Sequence, residues 1–150
     1  LKKLITLGQF EQLVELLQIF QLLASCEMTI LNTRPVADKS IKKDMGRIER
    51  IYHYIEENYQ QKVDVNQAAQ LSNLTTAAFC RYFKKITRMT FTEFLNQYRI
   101  TQAKKLLLQQ HTITEACYGS GFDNLSYFNK TFRKLAGENP SAFRKRQMAS

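Results

Sequence analysis

Apolar residues recur every three or four positions along most of this chain, and short polar stretches interrupt them. That period belongs to amphipathic helices and predicts an all-α protein. "FEQLVELLQIFQLLAS" carries Phe10, Leu13, Val14, Leu16, Leu17, Phe20, Leu23 and Ala24. Its apolar residues cover more than one stripe, so this helix needs partners on two sides, either in a core or across a dimer. Gly8 separates it from a shorter helix at Leu1–Leu7. "CEMTILNTRPVADKS" reads as a connector, with Met28–Leu31 extended. Arg34-Pro35 and the polar residues after them mark a domain boundary, with 34–40 as linker and Ser40 as the cap of the next helix. Ile41, Met45, Ile48, Tyr52, Ile55 and Tyr59 then form one apolar face. His53 lies off that stripe. Like His111, it has no clustered ligand and reads as a surface residue.

The remaining chain contains a repeat. "VDVNQAAQLSNLTTAAFCRYFKKITRMTFTEF" (63–94) aligns with "TITEACYGSGFDNLSYFNKTFRKLAGENPSAF" (112–143). Val65, Ala68, Ser72, Asn73 and Leu74 meet Ile113, Ala116, Ser120, Gly121 and Phe122. After one inserted residue, Phe79, Arg81, Phe83, Lys84, Lys85, Ile86 and Phe94 meet Phe128, Lys130, Phe132, Arg133, Lys134, Leu135 and Phe143. Asp64…Gln67 and Thr112…Glu115 both have capping-box spacing. Asn73 and Gly121 are residues that accept φ > 0 in a turn. Gly119 stands where the first copy has Leu71, which lets the second copy's helices approach closely. Thr75, and Asp123 or Asn124, can cap the next helix. Each copy is thus a short helix, a turn and a longer basic helix, which is a helix-turn-helix. The first spans about 63–87 and the second about 112–136.

At 100° per residue, the longer helices have two faces. Phe79, Phe83 and Ile86, and in the second copy Leu125, Phe128, Phe132 and Leu135, form apolar stripes. Ala77, Arg81, Lys84 and Lys85, and Ser126, Lys130, Arg133 and Lys134, lie opposite. One such basic face is ordinarily a solvated surface; two matched ones point to a shared polyanionic partner. Between the copies, "TFTEFLNQYRITQAKKLLLQQ" has a Thr90…Glu93 capping box. Phe94, Leu95, Tyr98, Ala103, Leu106 and Leu107 predict a long amphipathic helix over about 91–109. Some 18 residues make ~27 Å, against ~34 Å between successive major-groove faces of DNA.

Charge sharpens this picture. Residues 1–40 balance four cationic side chains against four acidic ones, so of the chain's 22 and 13, 18 and 9 fall in residues 41–150. The whole net charge of +9 resides there, a basic module beside a neutral one. Cys26, Cys80 and Cys117 form neither a disulfide framework nor a zinc pattern, which fits a reducing compartment. No apolar run approaches a membrane span, and no signal peptide is visible. The first residue is not Met and stands inside an apolar pattern, as in the tail of a longer protein.

The region Ile41–Arg146 resembles the DNA-binding domain of the AraC/XylS family of bacterial transcription regulators. The motifs are "AAQLSNLTTAAFCRYFKK", "TFTEFLNQYRITQAKKLL" with its Tyr-Arg-Ile, and "GFDNLSYFNKTFRKLAGENPSAFRK", where Phe143-Arg144 replaces the family's Tyr-Arg. The resemblance implies two helix-turn-helix subdomains joined by a linker helix, each placing a recognition helix in the major groove. It implies that Ala77, Cys80 and Arg81, and Ser126, Asn129 and Lys130, face bases. Thr75, Lys84, Lys85, Asn124, Arg133 and Lys134 would contact phosphates. Arg and Lys suit guanine, Asn suits adenine, and Ala suits a thymine methyl. The family usually has Gly after the first recognition helix. Here stands Arg88, so either the helix ends differently or Arg88 accepts a left-handed strain on the order of 1 kcal/mol. Residues 1–33 resemble, more weakly, the closing helices of the family's upstream cupin-like sensor, whose barrel would lie outside this chain together with any effector site.

The expected function is a cytoplasmic, sequence-specific regulator that binds double-stranded promoter DNA and contacts RNA polymerase. It would need no cofactor or metal, and could form a homodimer through the N-terminal helices or the sensor. The alternative is a basic helical module that binds an acidic protein, which has no use for a one-turn spacing between matched helices. An enzyme is disfavoured, because no His, Cys, Asp or Glu cluster has catalytic or metal-ligand spacing.

Overall fold

The computed structural model describes the backbone of residues 35–148 and the side chains of 44–147. The helices expected at 1–7 and 10–24, the stretch at 28–31 and Cys26 lie outside the described residues. Among the described residues seven helices run in order: α1 (Pro35–Asn58), α2 (Val65–Leu71), α3 (Thr76–Thr87), α4 (Phe91–Leu108), α5 (Ile113–Gly119), α6 (Leu125–Ala136) and α7 (Pro140–Met148). Among the described residues there is no strand, and the fold is all-α.

Helix α1 begins earlier than the sequence suggests. Residues 35–40, expected as linker, are already helical, and Ser40 stands inside the helix instead of capping it. Pro35 sits at the first helical position, where a missing N–H removes no intrahelical bond. Downstream, the buried face is wider than one stripe. Ile48, Tyr52 and Ile55 are buried, but so are Ile51 and Tyr54, while Met45 is exposed.

Two cores follow, one per repeat. The first gathers Ile51, Ile55, Ala68, Phe79 and Phe83 around Phe91, Phe94 and Tyr98. The second gathers Ala116, Cys117, Phe122, Phe128, Phe132 and Phe143 around Ile100, Ala103 and Leu107. Ring pairs repeat with the sequence. Phe79–Phe83 and Phe128–Phe132 both have centroids 5.6 Å apart. Phe83–Phe94 at 5.5 Å matches Phe132–Phe143 at 5.7 Å. Ser72 and Ser120, both fully buried, donate to the carbonyls of Ala68 and Ala116 at 2.9 and 2.6 Å. A buried hydroxyl is thus satisfied within its own helix end in both units.

Helix α4 is shared, and it is not amphipathic in the expected way. Phe91, Phe94, Leu95 and Tyr98 face the first core; Ile100, Ala103 and Leu107 face the second. At about 100° per residue, these sets point to roughly opposite sides of the helix. The two halves bury opposite faces, and the changeover falls at Arg99. Two further expectations fail at the ends of the recognition helices. Ile86 and Leu125, placed on the core stripes, are 41% and 37% exposed. Near the end of α3, Thr87 is buried instead and donates to the Phe83 carbonyl at 2.8 Å.

Candidate nucleic-acid interface

The turns before α3 and α6 end in caps. Thr75 is extended and its side chain accepts from the Ala78 amide at 3.3 Å. Asn124, not Asp123, caps α6 and accepts from the Tyr127 amide at 2.9 Å. Ahead of these helices, the two positioning helices start differently. Thr112 and Glu115 close a reciprocal capping box on α5. Asp64 caps α2 by accepting from the Asn66 amide at 2.9 Å, but Gln67 does not complete a box; its Oε1 accepts from the Tyr54 hydroxyl at 3.0 Å. The shared helix α4 starts with the Thr90–Glu93 box.

The C-terminal ends answer the question posed by Arg88. It is the C-cap of α3 in the left-handed conformation, at φ 62°, and its amide donates to the Lys84 carbonyl. Gly137 ends α6 the same way at φ 78°, donating to Arg133. The helix therefore ends where the repeat says it should, and Arg88 carries a conformation that costs a non-glycine residue ~1–2 kcal/mol.

All twelve candidate contact residues are exposed: Thr75, Ala77, Cys80, Arg81, Lys84 and Lys85 on the first unit, and Asn124, Ser126, Asn129, Lys130, Arg133 and Lys134 on the second. Helical geometry puts Ala77, Cys80, Arg81 and Lys84 on one outward stripe of α3. Ser126, Asn129, Lys130 and Arg133 form the matching stripe of α6, with Lys85 and Lys134 one step round on each. Phe79, Phe83, Phe128 and Phe132, all essentially inaccessible, anchor the opposite faces.

The structure also brings the two helices' cations toward one place. Thr90 hydrogen bonds hold the Glu93 carboxyl below its ordinary range; desolvation opposes them, and the charges of Lys134 and Lys84 make smaller contributions in the same direction as Thr90. Lys84 from α3 and Lys134 from α6 are thus both near enough to the N-terminal end of α4 for Glu93 to feel their charge. A crease of about 400 Å³ opens beside them, lined in part by Arg88, Glu93, Asn96, Tyr127, Lys130 and Lys134. Asn96 donates to the Tyr127 hydroxyl across it at 2.8 Å. Sequence reading missed Asn96, Tyr127 and Arg99, because no periodic signal marks contacts made between two repeats. The Tyr-Arg-Ile of α4 was the one available hint at Arg99.

Other chemistry is sparse. Burial, with the nearby Asp123 charge, pushes the Cys117 thiol up, which suppresses thiolate. His53 and His111 are surface residues paired with Glu56 at 3.3 Å and Glu115 at 3.7 Å. Among the described residues, no group of three His, Cys, Asp or Glu could hold a metal ion, and no helix is long and apolar enough to cross a membrane.

Two helix-turn-helix units on one shared helix define a double helix-turn-helix domain, the class of fold used by bacterial transcription regulators. A helix-turn-helix domain family model matches residues 68–146, more than half of the chain, and the chain belongs to the AraC family of helix-turn-helix transcription regulators. It is 31% identical over 111 residues to the uncharacterized regulator YdeC of Bacillus subtilis, covering 72% of this chain and 38% of that protein. To the bifunctional transcriptional activator/DNA repair enzyme AdaA of the same organism it is 31% identical over 102 residues, or 67% and 48% of the two chains. The chain therefore spans about half or less of these curated relatives. The fold is similar to the C-terminal domain of the two-component response regulator yesN from Fusobacterium nucleatum, at TM-score 0.60, 28% identity and coverage of 65% and 96%. It is also similar to the DNA-binding domain of AdpA, solved in complex with a target DNA, at TM-score 0.63, 24% identity and coverage of 69% and 94%.

Proposed function

We propose that this chain is the sequence-reading part of a promoter-binding regulator, with α3 and α6 entering adjacent major grooves on one side of the duplex. The observation that carries this reading is the matched pair of outward stripes. Each recognition helix buries two phenylalanines and turns toward solvent a set containing Arg or Lys, Asn or a small residue. Arg81, Asn129 and Lys130 are the strongest base-reading candidates; Ala77, Cys80 and Ser126 complete the stripes. Thr75, Lys84, Lys85, Asn124, Arg133 and Lys134 are assigned to phosphates. The net charge of +9 favours association with a polyanion, and the AdpA domain of like fold was solved with DNA.

The protein would work in the cytoplasm, through contact with RNA polymerase. Residues 1–33 would be the end of an upstream sensor and a route to dimerisation. No catalytic role is assigned to this chain: the repair activity named for AdaA belongs to that protein, and burial pushes the Cys117 thiol up, away from thiolate. Selecting bound sites from random duplexes and footprinting the result tests the reading. Protection across two adjacent major grooves on one face is expected. Equal affinity for scrambled DNA at moderate salt would overturn it.

A further inference from the structure

The two cores meet at Arg99. Tyr98 belongs to the first and Ile100 to the second, so the helix changes partners within one turn. A single helix joining two packed units can bend and twist about such a point unless something else ties the units together. Something does. The loop after α1 (residues 59–61), part of the first unit, lies directly against the turn of the second unit (residues 119–122).

Five contacts make this joint. The Arg99 guanidinium donates to the Tyr59 carbonyl through Nε at 2.8 Å and to the Gln61 carbonyl through Nη2 at 2.7 Å. The same group lies 5.8 Å from the centroid of the Phe122 ring. Gln60 Nε2 donates to the Gly119 carbonyl at 2.9 Å. Gly121 is buried against the loop: a Cβ there would stand 2.1 Å from the Tyr59 carbonyl oxygen and 2.9 Å from Gln60 Cα. An arginine fork is preorganised to bond two carbonyls while its plane lies on a ring; a lysine ammonium has neither the fixed fork nor a plane to stack.

We propose that Arg99, Gly121 and Gln60 lock the two helix-turn-helix units into one rigid reader, so that this joint sets the spacing and relative pose of α3 and α6. The inference rests on the DNA-reading proposal for its purpose, but not for its mechanics. One base pair added between two contacted segments shifts them by about 3.4 Å and rotates them by ~35°. A rigid reader cannot follow that change and loses one of its two contacts. A reader hinged at Arg99 can follow it, with a weaker grip on every spacing. Arg99 and Gly121 are thus positioning residues, acting on DNA only through where they hold the recognition helices.

The test has two arms on the full 150-residue chain. In the first, without DNA, Cys26 and Cys80 are replaced by serine, and spin labels are placed at Gln70→Cys and Lys145→Cys. The parent should give one narrow interlabel distance, and Arg99→Ala a distribution about twice as wide or more. Arg99→Lys, which keeps the charge but loses the planar fork, should fall between them. Equal widths in folded parent and Arg99→Ala overturn the proposal. Should Arg99→Ala fail to fold, Gln60→Ala and Arg99→Lys carry the comparison. In the second arm, a selected site is lengthened or shortened by one base pair. The parent should lose about tenfold in affinity, and Arg99→Ala less than about threefold relative to its own unaltered site. An unchanged spacing penalty in Arg99→Ala also overturns the joint, since a merely structural loss would weaken all spacings alike. If the parent shows no sequence preference at all, the DNA reading fails and the label distances alone judge the joint.

Discussion

The two helix-turn-helix units share a frame but close their turns with different residues. In the first, Asn73 takes φ 54° at an exposed position. In the second, Gly121 takes φ 86° at a buried one, with the Tyr59 carbonyl where its Cβ would be. The conformation alone tolerates Asn, whereas the contact demands Gly. The C-caps show the complementary case. Gly137 has nothing within 4 Å of a would-be Cβ, so conformation alone accounts for a glycine there, and Arg88 adopts nearly the same backbone in the first unit. The positioning helices differ for a third reason. A Cβ on Gly119 would meet Leu106 Cδ1 at 3.1 Å, while Leu71, its counterpart, is 37% exposed. The second unit is squeezed from two sides, by α4 and by the first unit's loop.

Substitutions can break or sharpen this comparison. The largest effects should come from what the units share: Phe79→Ala and Phe128→Ala each empty a fully buried ring site and should each cost ~3–5 kcal/mol in denaturant unfolding. A much smaller loss at Phe128 would mean that the second core is not packed like the first. Next come the turns. Gly121→Ala combines an unfavourable φ with a backbone collision and should lose more than about 2 kcal/mol, whereas Asn73→Ala meets only the φ penalty, about 1 kcal/mol. Equal losses would contradict the contact argument.

On DNA, Lys130→Ala should relax preference at one base pair by ~1–3 kcal/mol. Lys84→Ala should weaken all sequences alike and reduce the salt slope by about one. Identical behaviour of both variants on every sequence would dissolve the division between base and phosphate contacts. At the C-caps, Gly137→Ala should cost about 1 kcal/mol and Arg88→Gly should gain ~0.5–1, since relief of a left-handed residue exceeds the backbone entropy glycine adds. Thermal unfolding of the two variants would show opposite signs.

The smallest effect is on pH. Thr112 hydrogen bonds, with a lesser contribution from His111, hold Glu115 below its ordinary range. A depressed carboxyl contributes stability that is present above the unfolded pKa and is lost as pH falls through the folded one. Glu115→Gln should therefore flatten part of the acid limb of a helicity titration. The first unit has no counterpart to flatten at this position, because Gln67 is an amide and does not titrate.

Much of the molecule was legible beforehand because repeated local signals agree. The caps Thr75, Thr90 and Thr112, the positive-φ turns at Asn73 and Gly121, and the buried phenylalanines at helical spacing are each decided within a few residues. The outward faces carrying Ala77, Arg81, Lys84 and Lys85, and Ser126, Lys130, Arg133 and Lys134, followed from the same periodicity, whereas Cys80 and Asn129 were added by the family resemblance. What was missed has a common cause. Ile86 and Leu125 are apolar on the correct stripe but stand at helix ends, where the neighbouring element no longer covers them. Helix α4 reads as one amphipathic stripe only if its partner is one core; it has two, on opposite faces. The start of α1 at Pro35 was hidden by a proline that breaks a helix inside but is welcome at its first position.

By itself, then, the sequence determined the helices, their caps, the repeat and which residues of α3 and α6 turn outward, because those depend on interactions within a turn or two of chain. Only the tertiary structure decided how the two units are posed. That depends on Arg99 meeting the carbonyls of Tyr59 and Gln61, about forty residues away along the chain, and on Gly121 yielding its side-chain volume to the same loop. On the loop's side these contacts use backbone carbonyls, which every residue carries alike, so residues 59–61 show no pattern of residue types that announces them.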